Sequence, residues 1–325
     1  MNALPFSSRR SVHRVLALGD VNADLILTGL STLPQSEQEA LATDFEVVTG
    51  GQTGTIARAL SRLGVSVTFV GKVGEDTYGS KAIEQLKQDG VNTSGIIVDP
   101  GVKTGVTVVL STGSERTFAT FPGSIGELRR SDIDGKLLRG TNHIHVGSYY
   151  LQKNLRPELT DLFREARETN LTTSLDPGWD PANEWGDDLF DVLSLVDVFL
   201  PNEAEALTIS QTDTPEEALQ VLSELAQAVV IKQGAKGCIA RNKYKTSHCP
   251  AFDVPIVDVT SAGDIFNAGF IYAFLHGWDL DEAAQFANAC GAIAITKAGS
   301  AGIISGVQEV ESFLASRLHR KTEGA

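Results

Sequence analysis

The chain has 325 residues, of which 42% are hydrophobic and 21% charged, as in ordinary globular proteins and unlike disordered ones. It carries 27 Lys and Arg against 41 Asp and Glu, a net charge of −14, which disfavours nucleic acid and anionic membrane surfaces as partners. No apolar run reaches the roughly 20 residues that span a bilayer, so the sequence predicts no transmembrane segment. The composition and the negative charge together favour a folded protein that acts on a small molecule.

The cysteines and the first residues favour a reducing, cytoplasmic location. Cys238, Cys249 and Cys290 are widely spaced and form no C-x-x-C pair, so the sequence indicates neither a disulfide framework nor a zinc site. Residues 1–14 place Arg9 and Arg10 after a short mixed segment, whereas a secretory signal places its charges before an apolar stretch. We therefore predict a cytoplasmic protein with an irregular N-terminal tail.

Short aliphatic runs alternate with longer amphipathic stretches along the chain, which is typical of β-α units around a mostly parallel sheet. The pattern predicts strands at 15–18, 65–70, 143–146, 173–176, 198–200 and 228–232. It predicts helices at 50–63, 77–88, 157–169 and 189–195, and two long apolar helices, 264–276 and 281–296, that close the protein. We expect one α/β domain spanning residues 1–325.

Three further strands, near 96–98, 106–110 and 117–121, alternate polar and apolar residues. That alternation is typical of a sheet with one face in water. We therefore expect a small second sheet outside the main one.

The strongest local motif is Asp258-Val259-Thr260-Ser261-Ala262-Gly263-Asp264 at the start of a long apolar helix. The small residues at 261–263 let the backbone approach a ligand closely. The free N–H groups of a helix N-terminus bind anions such as phosphate. Asp264 then lies beside an anion site, although a helix-capping role alone also explains a carboxylate there.

Polar residues follow other strands and helix starts. Asn22 and Asp24 come shortly after the first strand, where a carboxylate suits a vicinal diol but a simple turn is the alternative. Asn202 and Glu205 open a segment after an apolar strand, where helix capping is again the alternative. The remaining candidates are the glycine pair and nearby threonine Gly50, Gly51 and Thr55, the segment with Lys232, Gly234 and Gly237, and Asn288 on the last predicted helix.

In this order and spacing, the motifs resemble those of the ribokinase-like carbohydrate kinases, the phosphofructokinase-B family. The resemblance extends from about Val15 to Ile304 and is most specific over Asp258–Gly269. It implies a ribokinase-like three-layer α/β/α core with a mostly parallel sheet. It also implies a small β-sheet lid, built here from about 22–48 and 102–121, that covers the active site.

The resemblance also implies residue roles for catalysis and sugar binding. Asp264 would be the catalytic base, and the amides of Ser261, Ala262 and Gly263 would form the anion hole. Asn22, Asp24, Gly50, Gly51 and Thr55 would bind the substrate. Thr55 stands where relatives usually have Asn, which implies a different pattern of hydroxyl contacts.

On the nucleotide side, the resemblance implies ATP and Mg²⁺ as cofactors. Asn202 and Glu205 would order Mg²⁺ through its water shell, and Lys232, Gly234, Gly237 and Asn288 would line the adenine and ribose pocket. Asp258, Thr260 and the loop 294–303 correspond to a monovalent-cation site, although Ile303 replaces a serine ligand and Lys297 adds positive charge. Potassium is therefore an open expectation.

These features predict an ATP-dependent sugar kinase, with a nucleoside kinase and a catalytically silent sugar-binding regulator as alternatives. We expect a neutral sugar, because Asp180 stands where relatives that act on a sugar acid carry Arg. The histidines at 143 and 145 are predicted to be structural because no third metal ligand is evident. We also expect a homodimer through the lid, driven by edge positions Val106, Val108 and Leu110.

Overall fold

The computed structural model describes residues 13–112, 116–297 and 303–323. Within them, nine strands form the main sheet in the order β13-β12-β11-β10-β9-β8-β1-β4-β5. Their bounds are β1 Arg14–Leu18, β4 Ser66–Gly74, β5 Asn92–Asp99, β8 His143–Val146, β9 Thr172–Leu175, β10 Val198–Phe199, β11 Ala228–Lys232, β12 Cys238–Asn242 and β13 Thr246–Cys249. All pairings are parallel except those of β12 with β11 and with β13.

Helices cover both faces of this sheet. The described helices are α1 Gln52–Arg62, α2 Thr77–Gln88, α3 Gly135–Arg139, α4 Leu159–Glu168, α5 Asp188–Leu193, α6 Glu203–Ser210, α7 Pro215–Leu222, α8 Ala262–Leu275, α9 Leu280–Ile295 and α10 Val307–Glu323. Alternate residues of β1 enter opposite cores: Val15 and Ala17 pack with α1, α8 and α9, whereas Leu16 and Leu18 pack with α4 and α5. The three-layer α/β/α core predicted from the sequence is therefore confirmed.

A second, smaller sheet has the order β3-β2-β6-β7, with β2 Asn22–Thr28, β3 Asp44–Gly50, β6 Val106–Ser111 and β7 Arg116–Phe121. It is the small second sheet expected from the sequence, and we call it the lid sheet; its role as a lid stays a prediction. The assignment of residues 96–98 to it was wrong, because they belong to β5, which pairs with β4 at the edge of the main sheet. An edge strand is also exposed on one side, so its polar alternation resembled that of a lid strand.

The two faces of the lid differ, since one is largely apolar and the other mixes apolar residues with the polar Asn22 and Asp24. Side chains alternate along each strand, and the register places Val106, Val108 and Leu110 on one face with Leu25, Leu27, Phe45, Val47 and Phe121. We call this set the outer lid face. The expectation of edge positions for Val106, Val108 and Leu110 was wrong, since β6 is paired on both sides.

Other elements were not predicted. Helix α10 follows α9, so the two long apolar helices do not close the protein. The strands β12 and β13 and the helices α6 and α7 also went unpredicted. Within the described residues, no helix is both long enough and apolar enough to cross a membrane.

A buried ion pair joins α1 to the end of α2. Asp89 and Arg58 are each 4% exposed, and the Arg58 guanidinium donates to the Asp89 carboxylate. Arg62 Nε donates to the same carboxylate at 2.9 Å and Gln85 at 3.1 Å. These donors outweigh burial and lower the pKa of Asp89. The arrangement fixes α1 against α2 beneath the glycine pair that begins α1.

Candidate active site

The candidate residues gather at the carboxyl ends of the parallel strands, the edge at which open α/β sheets bind ligands. Asp20 follows β1, Asp176 follows β9, Asn202 follows β10, and Lys232 ends β11. Helix α8 begins at the same edge, because its Asn267 contacts Asp176, as does Lys232 of β11. The structure thus brings together groups that are up to 247 positions apart in the chain, counted from Asp20 to Asn267.

The first turn of α8 provides free backbone amides. Ser261 has a left-handed backbone with φ 59° and precedes the helix, which begins at Ala262. The N–H groups of a first helical turn have no carbonyl partner within the helix. Ala262 N does donate to Val259 O, at a long 3.3 Å. The geometry suits anion binding near Gly263, as expected from the sequence.

Asp264 lies in this first turn and is half-buried. Burial raises its pKa well above the ordinary value, and the Asp176, Asp20 and Asp24 carboxylates raise it further, while Lys232 opposes the shift. A carboxyl with a raised pKa holds a proton more strongly, which suits a group that accepts one from a hydroxyl. Its position and electrostatics are consistent with the predicted base.

The sugar-side candidates begin the lid strand β2. Asn22 Nδ2 donates to Asp24 Oδ1 at 2.9 Å and to Thr107 Oγ1 of β6 at 3.1 Å. Gly50 is the partner of Asn22 in the register, and a Cβ at Gly50 would lie 2.1 Å from Asp24 Oδ2. The glycine therefore leaves the space that the Asp24 carboxylate occupies.

The start of α1 completes this side of the site. Gly51 has φ 89° and a Cβ there would lie 2.8 Å from Val21 Cα, so both conformation and space require glycine. Thr55 is 3% exposed in the first turns of the helix. Asp20, which the sequence analysis did not select, accepts hydrogen bonds from Gln52 N at 3.0 Å and Thr53 N at 3.1 Å. It holds the N-terminus of α1 at the site.

The Asp24 carboxyl should make sugar binding depend on pH. Burial raises its pKa to about 6, Asn22 opposes this shift, and Asp20 adds to it. Only the ionised carboxylate accepts two hydroxyl protons, so the sugar KM should rise as pH falls through about 6. Steady-state kinetics between pH 5 and 8 would measure this, with Asp24→Asn as the comparison. A wild-type KM that stays flat over this range would exclude Asp24 from sugar binding.

Asn202 and Glu205 form a reciprocal cap at the start of α6. Asn202 N donates to Glu205 Oε2 at 2.8 Å, and Glu205 N donates to Asn202 Oδ1 at 2.9 Å, a capping box. Burial first, and then the Asp176 carboxylate, raise the pKa of Glu205 to about 7. In the described part of the chain, no cluster of three His, Cys, Asp or Glu side chains could hold a metal. The Mg²⁺ role of this pair stays a prediction.

A cavity of about 560 Å³, within the usual range for small-molecule sites, opens beside α8. Its walls are largely apolar and include Phe252, Ile256 and Val259. The predicted nucleotide residues that line it are Lys232, Gly234, Gly237 and Asn288, together with Ala262 and Gly263 of the anion-hole segment. Size, apolar walls and a phosphate-suited end fit a nucleotide.

The expected monovalent-cation site is only partly described. Asp258 Oδ1 accepts from Thr260 N at 2.7 Å in a local turn. Lys297 pairs with Glu309 at 2.7 Å. Residues 298–302 of the expected loop lie outside the described residues, as does the predicted tail at 1–12.

The two strand histidines are fully buried in β8. His143 Nδ1 lies 2.8 Å from Thr172 Oγ1, and His143 Nε2 and His145 Nδ1 lie 2.7 Å and 2.8 Å from Ser174 Oγ. Burial lowers the pKa of His143 to about 3 and that of His145 to about 4, so both are neutral. This geometry fits the prediction that both histidines have structural roles.

Ser148 was not selected from the sequence, and Asp180 was selected for a role that its contacts do not favour. Ser148, which has a left-handed backbone with φ 51°, donates its N–H to Gln52 Oε1. Asp180 is 4% exposed and accepts backbone hydrogen bonds from residues 182, 184 and 185. Its charge is thus held inside its own loop, which weakens the sequence argument that it repels an anionic substrate.

Known proteins match this chain over nearly its full length. The pfkB family carbohydrate kinase model matches residues 12–305. An ATP-dependent ribose-1-phosphate kinase of Halopiger xanaduensis is 30% identical over 94% of this chain and 99% of that protein. A ribokinase of Haemophilus influenzae is 28% identical over 91% of this chain and 97% of that protein.

Solved structures show the same fold. Ribokinase from Thermotoga maritima superposes with a TM-score of 0.80 at 26% identity, covering 94% of this chain and 100% of that one. A Vibrio cholerae fructokinase with bound fructose, ADP and potassium gives 0.76 at 26% identity, covering 94% and 99%. The chain belongs to the pfkB family of carbohydrate kinases, which confirms the prediction of a sugar kinase.

Proposed function

We propose that this kinase transfers the γ-phosphoryl group of ATP to a hydroxyl of a small neutral sugar, with Asp264 as the base. The observation that carries this proposal is the position of Asp264 between two groups of residues. On one side lies the Asp24 carboxylate, whose charge raises the pKa of Asp264, with Asn22 bonded to it. On the other lies the cavity lined by Gly263 and Lys232.

In the proposed mechanism, Asn22 and Asp24 hold the sugar hydroxyls and Asp264 takes the proton of the attacking one. The amides at 261–263 stabilise charge on the transferred group, since catalysis of phosphoryl transfer is mainly positioning and electrostatic stabilisation. The lid would exclude water and so limit ATP hydrolysis.

ATP and Mg²⁺ are the proposed cofactors. A relative from E. coli, 26% identical with a TM-score of 0.83, was solved with ATP and Mg²⁺ bound. Mg²⁺ would neutralise phosphate charge, and the capping-box pair Asn202 and Glu205 would hold its water shell from the start of α6. A potassium ion near Asp258 and Thr260 is a further proposal, supported by the potassium-bound fructokinase.

The outer lid face supports the proposal of a homodimer through paired lids. Phe45 and Phe121 on it are 58% and 51% exposed, and apolar patches of this kind mark protein interfaces. We further propose a cytoplasmic location. Ultracentrifugation that finds a monomer at micromolar concentration would contradict the dimer.

The charges on the sugar side of the site bear on the class of substrate. Asp24 and Asp264 place two acidic groups on the sugar side, which disfavours an anionic substrate. The Halopiger relative is named for a phosphorylated sugar, ribose 1-phosphate. Phosphorylated sugars are therefore the alternative substrate class.

A coupled ADP-release assay should compare ribose with ribose 1-phosphate, fructose with fructose 6-phosphate, and both neutral sugars with adenosine. We expect the highest kcat/KM for a neutral sugar. A preference for the phosphorylated member would overturn the neutral class, and a preference for adenosine would indicate the nucleoside kinase. Binding of sugar without ADP release would indicate the silent regulator.

A further inference from the structure

A buried charged triad lies behind the first turn of α8. Lys232 Nζ donates to Asp176 Oδ2 at 2.6 Å and to Asn267 Oδ1 at 3.1 Å. Asn267 Nδ2 donates to the same Asp176 oxygen at 2.6 Å, and Gly178 N donates to Asp176 Oδ1 at 2.8 Å. Asp176 and Asn267 are both 0% exposed, so this network is fixed by buried partners.

The triad faces the reacting end of the site. Lys232 lines the nucleotide cavity, and its Nζ lies 3.9 Å from the position that a Cβ at Gly263 would occupy. Asn267 stands three residues after Asp264 and four after Gly263, hence on the same side of α8. The ammonium is therefore held where the anion hole and the proposed base meet.

A buried ion pair is costly to desolvate and is weak evidence for stability alone. Here the Asp176 carboxylate has a second effect, because the Asp264 and Glu205 carboxylates also attract Lys232. Without Asp176, the ammonium would be drawn toward Glu205 and Asp264, away from the terminal phosphates and toward the carboxylate that must accept the hydroxyl proton.

We propose that Asp176 and Asn267 are positioning residues that hold the Lys232 ammonium toward the terminal phosphates of the nucleotide and away from Asp264. This inference rests on the proposed kinase function. It assigns a role in turnover to two buried residues that are neither part of the anion hole nor sugar-binding candidates.

The first test is a double-mutant cycle in kcat. Asp176→Asn should lower kcat about 10- to 100-fold and change the sugar KM less than about threefold. The neutral double variant Asp176→Asn/Lys232→Met should be no more than about threefold slower than the slower single variant, because the two act as one unit. The proposal would be overturned if the fold-losses in kcat of the two single variants multiplied in the double variant. It would also be overturned if the kcat of Asp176→Asn stayed within about twofold of wild type.

Asp197→Asn is the matched control. Asp197 is a half-buried aspartate that also accepts a backbone hydrogen bond, from Thr173 N at 2.7 Å, but it precedes β10 at the opposite edge of the sheet. Its replacement should change the midpoint of urea unfolding without changing kcat. A similar kcat loss in this variant would show that loss of a buried carboxylate is sufficient to slow the enzyme, and would contradict the specific role.

The second test measures binding and needs no turnover. Calorimetry should compare β,γ-imido-ATP with AMP, which lacks the terminal phosphates. In Asp176→Asn and in the double variant, the Kd of β,γ-imido-ATP should rise about fivefold or more while that of AMP stays unchanged. Equal changes for both ligands would contradict the proposal. If wild-type protein released no ADP with any sugar, the proposed function would fail, while this binding difference would still test the triad.

Discussion

Replacement of Asp264 by Asn is expected to lower kcat by about 10²- to 10⁴-fold, the usual range for a lost general base. Asn keeps the size of the side chain and can still accept at the helix N-terminus, but it cannot take a proton from the sugar hydroxyl. The affinity for nucleotide should change little, because the cavity lining and the amides of residues 261–263 remain. Stopped assays of ADP release with excess enzyme would measure the residual rate.

The stability of the Asp264→Asn protein separates catalysis from capping. Burial and the neighbouring carboxylates raise the pKa of Asp264, so its charge is unfavourable in the folded protein. A neutral isostere should therefore not lower the midpoint of urea unfolding. The Asp197→Asn protein serves again as the control with unchanged kcat. If Asp264→Asn kept more than a tenth of the wild-type turnover, Asp264 would be a helix cap and not the catalytic base.

Replacement of Asp89 by Ala is expected to lower the free energy of unfolding by about 3–5 kcal/mol, because it leaves the buried Arg58 guanidinium without its counter-charge. The pKa of Asp89 is lowered in the folded protein. Its stabilisation is therefore present above the pKa of the unfolded chain and is lost as pH falls through the lower, folded value. Urea unfolding at pH 7 and at pH 3 would show the wild-type advantage shrinking at the lower pH.

The exposed pair of Lys245 with Asp281, at 2.7 Å, offers the control for Asp89. Solvent screens such a pair, so Asp281→Ala should shift the unfolding midpoint much less. Equal shifts in the two variants would contradict the importance assigned to burial at Asp89.

Local pattern was sufficient to predict most of the main sheet and the start of α8. The strand at 143–146 and the helix at 77–88 lie where the sequence predicted them, because aliphatic runs and cap residues are local signals. The placement of β5 could not be decided locally, since polar alternation is the same for an edge strand and a lid strand.

Several site contacts were beyond prediction because they join distant residues. Asp176 and Lys232 are separated by 56 positions, and no local pattern distinguishes a strand-end aspartate that binds a lysine from one that caps a turn. Ser148 was missed for a different reason: its backbone is left-handed, whereas sequence signals for φ > 0 come mainly from Gly and Asn.

The chain passes from the main sheet into the lid over only three residues. Strand β1 ends at Leu18 and β2 begins at Asn22, and Gly19–Val21 between them are buried. Such a short connection has little slack to absorb a displacement, so a change in how the outer lid face is covered would reach Asn22 and Asp24 directly. If the proposed dimer through the lid forms, self-association and sugar affinity would be thermodynamically linked, and the apparent sugar KM would vary with the concentration of the enzyme itself.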